Sequence, residues 1–79
     1  MTSDVAYTYV KTKLEAQGFT LSGAVGPRYR LKKSGSKASC GALAIPSLED
    51  IPEEVAVDLL DSIVLDAINA AVKDPAYRA

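Results

Sequence analysis

The chain contains no histidine. That removes the commonest general base, the commonest metal ligand and every Ser–His or Cys–His nucleophile pair. It contains one cysteine, Cys40, so an internal disulfide, a zinc ribbon and a CxxC redox motif are all excluded. A lone thiol fits a reducing compartment; the expectation is a cytoplasmic protein in which Cys40 is a small, unreactive strand residue. No uninterrupted apolar run is long enough for a membrane span: Val55 to Val72 is broken by Asp58, Asp61 and Asp66. The residues Met1-Thr2-Ser3-Asp4 carry no basic run followed by an apolar stretch, so no secretory signal is expected. The glycines, at positions 18, 23, 26, 35 and 41, form neither a GxGxxG nor a P-loop spacing. Acidic residues occur on regular helix rather than in a loop with EF-hand spacing, so no calcium site is expected. The reading is of a protein without catalytic residues, metal or cofactor.

What the chain does have is a segregated charge. Residues 1–40 carry seven Lys/Arg against two acids, a balance of +5, and residues 41–79 carry two against eight, a balance of −6. The formal net charge of −1 therefore conceals a bipolar molecule, and such asymmetry speaks of partners more than of fold. At 79 residues with 48% hydrophobic content, the chain reads as one small domain, residues 1–79, of ordinary globular composition.

The hydrophobic periodicity predicts an α+β fold. A first helix spans about 4–17, with Ser3 as N-cap, Ala6, Val10 and Leu14 on one face beside Tyr7, and Gly18 as its left-handed stop. The period then switches to two, predicting strands at about 19–25, 28–33 and 37–45, separated by turns at Gly26-Pro27 and Ser34-Gly35-Ser36. In the second strand Tyr29 and Leu31 face one way and Arg28, Arg30 and Lys32 the other. In the third, strict alternation sets Leu43 and Ile45 against Cys40, Ala42 and Ala44. Asp50 and Glu53 form a capping box for a long helix over about 51–73, and a frayed tail covers 75–79. The architecture expected is a two-layer helix–three-stranded antiparallel meander–helix, αβββα, with both helices packed on one face of the sheet.

The long helix carries more apolar surface than one sheet needs. Val55, Leu59, Ile63 and Ala70 form one strip; Val57, Leu60, Val64, Ile68 and Ala71 form another, about 120° around. One assignment packs the first strip on the sheet and the second on the first helix. The other gives the second strip to a second copy, making the chain a homodimer.

Two charged surfaces are candidates for function. The acidic ridge Asp50, Glu54, Asp58 and Asp61 is expected to meet a basic groove on a larger protein. The basic hairpin face of Arg28, Arg30, Lys32, Lys33 and Lys37 is suited to phosphates, but lacks an aromatic stacking platform and any nucleic-acid-binding motif. The expectation is a non-catalytic protein-binding module, a small steric inhibitor or adaptor of a larger, nucleic-acid-handling protein. Accessory proteins of phages and mobile elements that counter host defence are of this type. The alternative is a nucleic-acid-binding module using the basic face.

Overall fold

A computed structural model describes residues 1–25 and 28–78; the turn expected at Gly26-Pro27 lies outside the described residues. The elements run α1 (Ser3–Ala16), β1 (Phe19–Val25), β2 (Arg28–Lys33), β3 (Ser39–Ala44), α2 (Glu53–Ala71) and α3 (Pro75–Arg78). The strands form one antiparallel sheet in the order β1-β2-β3. Both helices lie on the same side of it, α1 over β1 and α2 over β3, in contact with each other. This is the expected α+β architecture with one added helical turn at its end.

Helix α1 begins one residue earlier than its sequence signal. The Thr2 hydroxyl, not Ser3, accepts the N–H of Val5 at 3.3 Å, and Ala6, Val10 and Leu14 turn inward. Its end is set by Gly18, at φ +83°, a left-handed position that a side chain would strain. The Met1 ammonium donates to the Leu48 carbonyl at 3.1 Å, and the Tyr9 hydroxyl donates to Asp61 at 2.7 Å. These two ties hold α1 and α2 side by side and running in the same direction. Helix α2 starts at Glu53 with Pro52 as N-cap and no side-chain capping bond, so the Asp50–Glu53 capping box is not made. Pro52, which lacks an N–H, sits where that donor would have no helical acceptor.

The sheet departs from strict alternation at two bulges. Leu31 pairs with Gly41 but Lys32 pairs with Ser39, so Cys40 is an extra residue in β3. The insertion re-phases the strand: Cys40 and Leu43, three apart, are both buried under the helices. Alternation alone had set them on opposite faces. In β1, Ser22 pairs with Arg30 and Val25 with Arg28, with Gly23 at φ +60° accommodating the extra residue between. Position 25 therefore takes Arg28's register.

The core joins Ala6, Val10 and Leu14 of α1 to Phe19, Leu21, Leu31, Cys40 and Leu43 of the sheet. From α2 it takes Ala56, Leu60, Val64, Ala67 and Ala71. Small residues let this helix sit close to the sheet, and Ala71 lies against Gly41. Leu60, Val64 and Ala71 are thus spent on the chain's own core, with Val57 and Ile68 half-buried beside them. The strip that one of the two assignments gave to a second copy is packed within the chain, because the period of 3.6 identifies two apolar faces without saying which one the sheet occupies. The segment expected to fray is ordered helix α3. Tyr77 stacks on Phe19 with ring centroids 5.6 Å apart, and Lys33 lies over the same ring at 4.9 Å.

Candidate functional site

The pairing register decides which cations stand together. Arg30 lies opposite Ser22 and Ala42, Arg28 opposite Ala44, and Lys32 opposite Thr20 and Ser39. Directly paired residues in antiparallel strands share a face. Arg28, Arg30 and Lys32 therefore form a column along the central strand, on the side of the sheet that no helix covers. Their spacing is about 6.7 Å from one to the next at a rise of 3.3–3.4 Å per residue. The lateral neighbours are hydroxyls and methyl groups with no carboxylate among them. Leu31 is fully buried on the other side, and Tyr29 meets Tyr7 of α1 with centroids 5.1 Å apart, so it is unavailable for stacking on a base.

Lys33 does not join this column. It pairs with core-facing Phe19, and its ammonium reaches the Tyr77 ring and, at 3.5 Å, the Tyr77 carbonyl. That places a cation at the carbonyl end of α3, on the helix side of the sheet. Lys37 is exposed in the β2–β3 connection. Of the five cations expected on one surface, the fold assembles three.

The acidic residues Glu54, Asp58 and Asp61 are exposed on the solvent side of α2, and Asp50 is exposed in the turn before it. Leu65 continues the same column one turn beyond Asp61 and is 59% exposed. Leucine in that position is invisible to a search for carboxylates, although its helical phase beside Asp58 and Asp61 is readable in the sequence. The molecule therefore sets an acidic ridge on the solvent side of α2 apart from a basic column on the bare sheet. Even its shortest dimension, 16 Å, is about twice the roughly 8 Å screening length at physiological ionic strength. The two faces act on their surroundings separately.

Asp61 does more than carry charge. Its carboxylate accepts the Tyr9 hydroxyl proton, and this bond raises the phenol's pKa above its ordinary value of 10.0; burial and the charges of Asp61 and Asp58 push the same way. A raised folded-state value means that the bond's contribution is complete below pH 10 and is lost as the pH climbs through the shifted pKa. Asp61→Ala is expected to bring the Tyr9 phenol back toward 10, read as tyrosinate absorbance against pH. An unchanged titration curve would mean that the two helices are not tied at this point.

An open furrow of about 500 Å³ follows the outer side of α1 between Val5, Tyr9 and Lys13 on one flank and Asp4, Thr8 and Thr12 on the other. A single helix lines it, so side chains from separate elements do not converge on one point as in a small-molecule site. Among the described residues no three His, Cys, Asp or Glu side chains gather as a metal site would require, and no helix is long and apolar enough to cross a membrane. Among the described residues the buried set is wholly hydrophobic. No family model matches the chain, and comparison with curated proteins and with solved structures finds no similar one.

Proposed function

We propose that this chain is a non-catalytic protein-docking module, a small steric inhibitor or adaptor that presents the solvent face of α2 to a larger protein. One observation carries the reading: Leu65, the most exposed of the large hydrophobic residues, stands in line with Glu54, Asp58 and Asp61. An apolar side chain flanked by carboxylates fits a hydrophobic depression with a basic rim. Burying the leucine supplies affinity, while the acids speed encounter and select the partner. The rigid two-layer scaffold behind the helix then blocks or bridges whatever lies beside that depression.

A second reading has its own observation, the column of Arg28, Arg30 and Lys32 on the uncovered sheet with neutral neighbours in register. It favours the phosphate backbone of a nucleic acid, held without base stacking.

One experiment separates the two. The chain is immobilised and exposed to lysate of the cells that produce it, with and without nuclease treatment. The docking reading expects a protein that is retained after nuclease treatment, released by raised salt and lost with the Asp58→Lys/Leu65→Glu variant. Retention that needs nucleic acid and disappears with Arg28→Glu/Arg30→Glu transfers the function to the sheet face. Capture that every variant keeps, or no capture at all, removes the α2 ridge as a docking surface.

A further inference from the structure

The docking face on α2 has a second wall. Among the described residues, Leu65 and Val5 are the two most exposed large hydrophobics, at 59% and 51%, and they stand on different helices. The Tyr9–Asp61 hydrogen bond joins those helices. Val5 lies one turn before Tyr9 and Leu65 one turn after Asp61, on helices that run in the same direction. Both therefore border the seam that this bond crosses, Val5 toward its start and Leu65 toward its end.

The furrow along α1 continues this apolar surface away from α2. Val5 and the Tyr9 ring form its near flank, and Thr8 and Thr12 its far one. Helical period alone counts the two threonines as polar. In the fold the Thr12 hydroxyl donates to the Thr8 carbonyl at 2.8 Å, so its polar atom is turned onto the helix backbone and its methyl group is left for the furrow. Carboxylates border the surface on both sides: Asp4 on the far flank, Asp58 and Asp61 on α2. The cation lining it, Lys13, holds its ammonium over the Tyr9 ring, 5.5 Å from the centroid, at the opposite end from Asp4.

We propose, resting on the reading of α2 as a docking face, that the partner meets this surface with one amphipathic α-helix, apolar along a stripe and carrying lysine or arginine beside it. The shape suits a helix. From Asp4 to Lys13 the furrow runs about 13–14 Å at 1.5 Å per residue, long enough for the anchors that a helix presents at i, i+3 or i+4, and i+7. Ridges of its side chains then pack into the grooves of α1 and α2. An extended strand would need unpaired backbone groups to bond, and the backbone of both walls is closed within helices. Charge selects the basic form. Cations on the flanks of the stripe meet Asp4 on one side and Asp58 and Asp61 on the other, whereas an acidic helix would set like charges against both rims.

Fluorescence anisotropy with two labelled peptides of about 18 residues, long enough to hold a helix, tests it. Both carry leucine at i, i+3, i+4 and i+7; one has lysine on the flanks of that stripe and the other glutamate. The lysine peptide is expected to bind and the glutamate peptide not. Val5→Lys, like Asp58→Lys/Leu65→Glu, is expected to raise the dissociation constant by at least about tenfold, with the circular-dichroism signal unchanged. Thr20→Lys, which adds the same charge on the bare sheet, should bind like the parent chain. Equal binding of both peptides, or binding that Val5→Lys weakens no more than Thr20→Lys does, would overturn the proposal. No binding of the lysine peptide overturns it too, and leaves α2 as a docking face to be decided by the lysate capture. Binding that Val5→Lys weakens but Asp58→Lys/Leu65→Glu does not would instead remove α2 from the surface, and with it the reading on which the proposal rests.

Discussion

Val64→Glu is expected to leave no folded protein, whereas Leu59→Glu, five residues earlier on the same helix, leaves the fold intact. Val64 is 7% exposed within the core cluster and Leu59 is 42% exposed. Taking a buried valine out of the core forfeits about 1.5–3 kcal/mol of burial. The carboxylate replacing it has no cation or donor among the hydrophobic residues around it, and an unpaired charge there costs several kcal/mol more. A chain of 79 residues at roughly 0.05–0.15 kcal/mol per residue holds only about 4–12 kcal/mol in total. The substitution consumes most or all of that. At Leu59 the carboxylate remains in water, and the expected change in the fold's own stability is within about 1 kcal/mol. Circular dichroism and a thermal melt of the two variants decide the matter. A folded Val64→Glu chain would mean that α2 is rotated on its axis and that the strip containing Leu60 and Val64 is its outer one.

Phe19→Ala carries the second large effect, about 3–5 kcal/mol. The ring is 2% exposed and sits where the end of α1, the start of β1 and the chain's last helix meet. Its contact with Tyr77 is also what gives residues 75–78 something to fold against, because a four-residue helix has no stability of its own. Urea unfolding of Phe19→Ala, Tyr77→Ala and the double variant should show a coupling of about 0.5–1.5 kcal/mol between the rings, typical of paired aromatics. Zero coupling would return the last residues to the frayed state that their sequence implies.

Those rings show where the sequence runs out. Asp74-Pro75 marks the end of a helix correctly, and α2 does stop at Ala71. Nothing local in Ala76 to Ala79 signals that Tyr77 has a partner 58 positions earlier in the chain. Local signals performed well wherever the physics is local. The spacing of Ala6, Val10 and Leu14, the stop at Gly18 and the alternation of Tyr29 and Leu31 against Arg28, Arg30 and Lys32 all correspond to what the fold contains. They fail where the deciding term is a pairing across space. The bulge at Cys40 is set by how β3 registers on β2, and it reverses the expected facing of Cys40. The rotation of α2 is set by how closely its small residues allow it to approach the sheet, as Ala71 does Gly41, and it turns Leu60 and Val64 inward while Val55 and Leu59 stay exposed. Of the candidate surfaces, the acidic ridge was legible in its helical members Glu54, Asp58 and Asp61, which need only helical phase, whereas Asp50 lies in the turn before α2. The basic column was legible in three members of five: alternation itself sets Lys33 on the side of Tyr29 and Leu31, and Lys37 lies in the β2–β3 connection.

The bulge in β3 also equips the molecule with an internal clock. By turning Cys40 inward it seals the chain's one thiol against the Leu31 carbonyl, 3.5 Å away. A reagent in solution can reach that sulfur only when the strand and the helix above it part. The pace at which the thiol is modified therefore times the breathing of this half of the domain, with no probe added and no residue changed.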